Sequence, residues 1–120
     1  MRVTSALWVS ALTRRAYGSD MPALVGRRGA EEAGAIFIAI DRLDGTLDLY
    51  GPAPQTAFAT SEPELRLFQQ IRNRVAQKEI DQSIEKEARF DPDIWLVVIE
   101  DRAGRVLFDL ARDPSSEGRG

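Results

Sequence analysis

The sequence predicts an α+β fold in which one mostly antiparallel sheet of five or six strands packs against two helices. Two runs of consecutive apolar residues, 35–40 and 94–99, are too short for helices and apolar on both alternating faces, as in central strands. Two other segments repeat apolar residues at helical spacing. With 120 residues, 43% of them hydrophobic, the chain has room for one domain, which we assign to residues 1–110. Residues 111–120, rich in Ser, Gly and charge, are expected to form a flexible tail.

Composition excludes several classes of chemistry. The chain contains neither cysteine nor histidine, so disulfides, iron–sulfur clusters, thiolate zinc sites and histidine-based triads are excluded. Its net charge of −3 gives no general attraction to nucleic acid or to an anionic membrane. We therefore expect no cofactor, no metal, no nucleic acid and no membrane as partners, and the balance leans against an enzyme.

The first predicted element is a helix near the N-terminus. Thr4 or Ser5 can cap its start, the apolar residues that follow cover about half of its circumference, and Gly18 can take a left-handed stop position. The stretch superficially resembles a signal peptide, but polar residues interrupt the apolar run, and Arg14 and Arg15 stand where a cleavage site should be. We therefore expect a cytoplasmic protein.

Strands dominate the next part of the chain. Residues 23–28 are predicted to form a short strand, and a polar connection leads to the apolar run 35–40. An Asp-Gly turn joins that run to the alternating segment 46–50, so the two are predicted to form an antiparallel hairpin. A break rich in Gly and Pro and a surface loop then extend to Thr60.

Two interpretations are open for the segment 61–77. Residues 61–64 resemble a capping box, and apolar residues recur after them at helical spacing. Leu65 and Leu67 instead alternate with charged neighbours, as in a strand. Periodicity alone slightly favours a helix.

The second helix is predicted from a narrow apolar stripe. The stripe comprises Ala76, Ile80, Ile84 and Ala88. The helix ends at residues 90–92, because the residue before a proline avoids the helical region. The apolar run 94–99 then forms a second central strand, and we predict that residues 105–110 return beside it as a second hairpin.

Three parts of the sequence together resemble one protein family. They are residues 6–12, the Arg27-Arg28-Gly29 triplet with residues 33–38, and the stretch 89–105, which contains the run Phe-Asp-Pro-Asp-Ile-Trp. On these residues the chain resembles the domain-of-unknown-function family fourteen ninety-one, short bacterial proteins found mainly in alphaproteobacteria. The resemblance implies a strand at 65–71 followed by a helix that ends at the Asp-Pro-Asp corner. The family has no assigned activity, so the resemblance implies no function.

Six residues are candidates for binding. They are Arg14, Arg15, Arg27, Arg28, Asp93 and Trp95. If both arginine pairs converged on one rim of the sheet, they would bind phosphate or carboxylate bidentately. The alternative is ion pairing with Glu31, Glu32 and the Asp-rich corner. Trp95 fits a core anchor better than a stacking platform, and Arg15 lies on the apolar arc of the first helix, where its charge needs water, a carboxylate or a ligand.

Acidic residues near the corner do not form a metal site. Asp91 and Asp93 precede the last apolar strand, whereas Glu100 and Asp101 follow it. A strand of that length separates the two groups by about 20 Å, so they cannot share one ion.

Two functions remain open at this stage. The preferred one is a non-catalytic interaction or oligomerising module, because catalytic residue types are missing and the apolar pattern is richer than two helices can cover. The alternative is a small-anion or nucleotide-binding protein, with an enzyme included, that uses an arginine-lined rim. If both helices lie on one face of the sheet, a symmetric homodimer would cover the other face. If one helix covers each face, the monomer is self-sufficient.

Overall fold

The structure, a computed structural model, describes residues 3–54 and 66–111 and has the predicted α+β fold. Its elements, in chain order, are α1 (Ser5–Gly18), β1 (Ala23–Arg27), β2 (Ile36–Asp41), β3 (Leu47–Pro52), β4 (Phe68–Val75), α2 (Gln77–Phe90) and β5 (Trp95–Glu100). The expected capping box and residues 112–120 of the expected tail lie outside the described residues. Within the described ranges, no helix is long and apolar enough to cross a membrane.

The five strands form one mixed sheet in the order β1-β5-β2-β3-β4. The pairs β1–β5, β2–β3 and β3–β4 are antiparallel, as the sequence predicts for most of the sheet. The central pair β2–β5 is parallel, with Ile38 opposite Val97 in its register. The last strand of the chain therefore lies between the first two.

The predicted second hairpin is wrong. Both edges of β5 are occupied, by β1 and β2, so residues 105–110 have no place beside it. The chain instead turns after β5 and crosses one face of the sheet to the outer edge of β4, where Leu110 bridges Phe68. We call residues 105–111 the C-terminal strap. A strand that is apolar on both faces, such as β5, lies inside a sheet between two other strands. Its two neighbours, β1 and β2, are both far from β5 in the sequence.

One face of the sheet is covered by α1 and the strap. The Thr4 hydroxyl caps α1 by accepting a hydrogen bond from the Leu7 N–H, at 3.2 Å. Its buried residues pack over β1 and β5, and the strap packs over the rest of that face. The apolar arc of α1 is narrower than predicted, since Leu7 is exposed. The left-handed position after the helix falls on Asp20, with a φ of 61°, and not on Gly18.

The opposite face is covered by α2, which lies over β3 and β4. Ile80 and Ile84 of α2 pack with Phe37, Leu47 and Leu49. One helix therefore lies on each face, and the isoleucines of β2 that would have needed a dimer are buried under α1 and the strap.

The ambiguous segment forms strand β4, which begins at Phe68, later than predicted, and continues to Val75. The helical interpretation of this stretch is wrong. Ile71 and Val75 both pack into the core under α2. A spacing of four residues places side chains on one face of a helix and of a strand alike, so the periodicity could not separate the two.

Candidate functional site

Four of the six predicted binding residues lie together at one corner of the sheet. There, the loop after β1 is fastened against the turn that leads into β5. The Ala30 N–H donates to the Asp93 carbonyl at 2.9 Å, and the Trp95 indole N–H donates to the Ala30 carbonyl at 2.8 Å. The approach is so close that a Cβ at Gly29 or Gly34 would collide with the Asp93 carbonyl oxygen.

The two arginines of this corner, Arg27 and Arg28, make different contacts with the segment that leads into β5. The Arg27 guanidinium donates to the Pro92 carbonyl at 3.0 Å, and its Nε is buried without a hydrogen-bond partner among the described residues. The Arg28 guanidinium lies over the Trp95 ring, 5.2 Å from the ring centroid, which is cation–π distance. Trp95 itself is only 1% exposed, so it anchors the core and Arg28 covers its outer side. The Asp93 side chain is exposed.

Arg14 and Arg15 lie at the other end of β1. The Ser5 N–H donates to the Glu32 carbonyl, which follows β1, whereas the last turn of α1 bonds Met21, which precedes β1. Helix and strand therefore run antiparallel, and the length of β1 separates the two arginine pairs by about 13 Å. The pairs do not converge on one rim.

Arg15 lines a groove of about 300 Å³ between α1 and the strap. Its floor and walls are Trp8, Val106, Leu107, Phe108 and Asp109. Among the described residues, the Arg15 guanidinium has neither a hydrogen-bond nor an ion-pair partner. Trp8 lies seven residues earlier on the same side of α1, about 10 Å away along the helix axis. In this part of the chain no ion pair joins Arg15 to Glu31 or Glu32.

A buried polar network at the far end of β2 and β3 was missed by the sequence analysis. Asp48 is 3% exposed, accepts the Arg74 N–H at 2.9 Å and lies 3.2 Å from Nε of Arg42. Arg42 also donates to the Arg102 carbonyl at 3.2 Å, which ties the β2–β3 turn to the turn after β5. Opposite charges flanking a hairpin turn are the signal that could have found this pair.

Neighbouring carboxylates are held in their ionised form. The Asp101 carboxylate accepts the backbone N–H of Arg105 at 2.7 Å and three further contacts from its guanidinium, the shortest at 3.0 Å. The hydrogen bonding by the Arg105 side chain is the main reason why the pKa of Asp101 is lowered. The hydroxyl of Thr46 is the main cause that lowers the pKa of Asp44 to about 2. Burial raises the pKa of Tyr50 and keeps its phenol protonated. Each of these shifts moves a pKa further from neutral pH, whereas general acid–base catalysis needs a pKa close to it. Among the described residues, no group of three or more acidic side chains could hold a metal.

An apolar patch lies on the α2 face of the sheet, beside the part that α2 covers. It comprises Leu24 of β1 with Leu96 and Val98 of β5, and we call it the β1–β5 patch. Leu24 is 58% exposed, and the other two are half-buried. Gly26 leaves the patch open, because a Cβ there would rest against Leu96 and Val98.

Comparison of the sequence with known protein families identifies the family of this chain. The family model described as "Protein of unknown function (DUF1491)" matches residues 3–109. The chain belongs to the DUF1491 family. The family prediction is thereby confirmed, and the match includes the Arg27–Trp95 corner and most of the strap. No curated protein matches the sequence.

Three solved structures similar to this DUF1491 chain come from two bacteria. The solution structure of protein Atu0922 from A. tumefaciens is 39% identical, with a TM-score of 0.80, and the alignment covers 95% of this chain and 98% of that one. The crystal structure of a DUF1491 family protein from Caulobacter crescentus CB15 is 34% identical, with a TM-score of 0.73, over 92% of this chain and 100% of that one. An NMR structure of a DUF1491 family protein from the same organism is 36% identical, with a TM-score of 0.72, over 93% and 99%. The family and these structures carry no assigned function.

Proposed function

We propose that this DUF1491 protein is a cytoplasmic, non-catalytic interaction module that self-associates through the β1–β5 patch. The uncovered patch is the observation that carries the proposal. On the α1 face, a helix and the strap share the cover, whereas on the opposite face α2 packs over β3 and β4. Within the described residues, β1 and β5 have no equivalent cover on that side. Contiguous exposed apolar surface of this kind marks interaction sites.

The polar chemistry supports a non-catalytic role. The charged groups with shifted pKa values at the β2–β3 end are bound to one another, and the corner arginines contact a carbonyl and an indole ring. General acid–base catalysis would need a group poised to exchange a proton near neutral pH. The strap is hydrogen-bonded to β4, because the Phe68 N–H donates to the Asp109 carbonyl and the Ala111 N–H donates to the Phe68 carbonyl. This attachment supports treating residues 1–110 as one domain.

A second copy of the chain is the proposed partner. In a dimer with twofold symmetry the patch of one copy adjoins the same patch of the other, so apolar surface lies against apolar surface where the two copies meet. The dimer expected from sequence was to cover the isoleucines of β2. The proposed contact instead lies at the β1 side of the other face, where α2 leaves the sheet open.

Replacing Leu24 with glutamate is expected to abolish self-association. The wild type should elute at micromolar concentration with about twice the monomer mass of 13.3 kDa, and Leu24→Glu with the monomer mass, because a charge in the contact would be desolvated. Light scattering coupled to gel filtration measures both. Leu43→Glu is the matched control, since Leu43 is 42% exposed in the β2–β3 turn, and it should remain dimeric. A monomeric wild type across the concentration range would contradict the proposal.

A second candidate function, binding of a small aromatic carboxylate, is favoured by the groove at Arg15. The Arg15 guanidinium, which has no partner among the described residues, lies at one end of the groove and the half-buried Trp8 at the other. A ring and a carboxylate in one molecule therefore match the two ends. Leu107 and Phe108 of the strap supply an apolar wall between them.

Arg15→Ala is expected to remove ligand binding without loss of stability. In a thermal-shift assay, 3-phenylpropionate should raise the melting temperature of the wild type by mass action, and inorganic phosphate should not. The free energy of unfolding of Arg15→Ala should lie within about 0.5 kcal/mol of the wild-type value, because the side chain is exposed and has no partner in the described part of the chain. The melting temperature of this variant should not rise with the carboxylate. Arg14→Ala, one position away, should respond like the wild type. A shift that persists in Arg15→Ala would contradict this function.

A further inference from the structure

The outer edge of β1 is an open hydrogen-bonding edge. The Glu100 N–H donates to the Pro22 carbonyl at 2.8 Å, and Leu24 lies opposite Val98 two residues further along the same ladder. Backbone groups of alternate residues point to opposite sides of a strand, so the N–H and C=O of Ala23 and Val25 point away from β5. β1 is the end strand of the sheet, and no described residue pairs with that side.

This edge lacks the features that usually protect edge strands. Natural edges carry charged residues, prolines or bulges that prevent pairing with another chain. Residues 23–25 are all apolar, with Leu24 and Val25 exposed by 58% and 41%. Pro22 does not block the edge, because its nitrogen lies on the β5 side. The bulge comes only after Val25, where the register shifts before Arg27.

We infer that β1 pairs antiparallel with β1 of a second copy, with Leu24 on the twofold axis, so that two five-stranded sheets join into one. The inference rests on the proposed self-association and specifies its geometry. In this register Ala23 of each copy bonds Val25 of the other. The two Leu24 side chains then face each other on the α2 face and cover each other.

Neighbouring registers use the edge less well. Centring the pair on Ala23 would place Val25 opposite Met21, whose N–H already bonds the Ala16 carbonyl. Centring it on Val25 would place Ala23 opposite Arg27, beyond the bulge. The register centred on Leu24 uses the outward groups of both Ala23 and Val25 and needs neither of those positions.

The charges at the two ends of β1 favour the antiparallel direction. Asp20 precedes the strand, and Arg27 and Arg28 end it and follow it. Antiparallel pairing brings Asp20 of each copy towards the arginines of the other, whereas parallel pairing would bring the arginines of both copies together. Attraction at both ends therefore selects the antiparallel arrangement.

A single cysteine at position 24 tests the register. The chain has no cysteine of its own, so Leu24→Cys provides one thiol per copy. Facing residues of a non-hydrogen-bonded antiparallel pair have Cβ atoms about 4.5–5.5 Å apart, close enough for a disulfide after a small shift. Under mild oxidation, Leu24→Cys should form a disulfide dimer at least roughly tenfold faster than Val25→Cys, since position 25 does not face itself in this register. Equal rates would overturn the register.

Val25→Pro supplies a test that does not depend on oxidation. The N–H that it removes points outward, so the β1–β5 ladder keeps its bonds while the open edge is blocked. Val25→Pro should be folded by circular dichroism and monomeric by light scattering. A dimeric wild type with a dimeric Val25→Pro and no preferential linkage at position 24 would overturn the edge geometry and leave self-association standing. A monomeric wild type would overturn both.

Discussion

Gly29→Ala is expected to lower the free energy of unfolding by about 3 kcal/mol or more, a large part of the stability of a small domain. A Cβ at this position would collide with the Asp93 carbonyl oxygen and lie 2.6 Å from both the Ile94 carbonyl carbon and Cδ1 of Trp95. Two of these atoms are backbone, fixed by the bond from Ala30 to Asp93. They cannot move aside as the end of a flexible side chain could.

Gly18→Ala is the matched control for this substitution. Gly18 ends α1, and a Cβ there would meet nothing within 4 Å. Alanine is the better helix former, so this variant should match the wild type or exceed it by up to about 1 kcal/mol. Denaturant titrations followed by circular dichroism compare the two. Similar losses in both variants would show that the close approach at Gly29 does not limit stability.

Trp95→Ala is expected to cost about 4 kcal/mol of folding stability, within the range for removing a buried tryptophan. The side chain is 1% exposed, belongs to the core under α1, and donates its indole N–H to the Ala30 carbonyl. Its loss leaves a cavity and removes the ring on which Arg28 rests. It also leaves the Ala30 carbonyl with only the 3.3 Å hydrogen bond from the Gly34 N–H.

Trp95→Phe separates these contributions. Phenylalanine keeps most of the ring volume but cannot donate to the Ala30 carbonyl, so a loss of about 1–3 kcal/mol is expected. Chemical denaturation followed by circular dichroism is suitable, since both variants lose the fluorescence of Trp95 and keep only that of Trp8. If Trp95→Ala unfolds at the same denaturant concentration as the wild type, Trp95 is not a core anchor.

Elements with a local signal were predicted well from the sequence. The capped start of α1, the β2–β3 hairpin and the Asp-Pro end of α2 all follow from residues within a few positions of one another. The strand order does not. β5 was recognised as a central strand because it is apolar on both sides, but the same pattern fits a hairpin with residues 105–110 as well as the observed parallel pair with β2.

The candidate sites divide in the same way. Arg28 and Trp95 are in contact because the loop after β1 and the turn before β5 are hydrogen-bonded to each other. Both segments are among the residues on which the family resemblance rests, but the sequence could not show that they touch. The groove at Arg15 depends on the path of the strap, which was predicted as a strand. The Asp48–Arg42 pair was missed because Asp48 lies between two leucines, an alternation that is typical of a strand with one side facing solvent. The open edge of β1 depends wholly on the strand order.

That order also determines the sequence in which the sheet can be assembled. β2, β3 and β4 are consecutive neighbours, whereas within residues 3–54 and 66–111 the only strand partner of β1 is β5, which ends at Glu100. During synthesis, α1 and β1 emerge first but have no sheet to join until about a hundred residues have been made. Contacts over such separations carry a high loop-closure entropy and are slow to form. The buried face of α1, with Val9, Leu12 and Ala16, can therefore be covered completely only after β5 has been synthesised. Until then these apolar residues stay exposed in the cell.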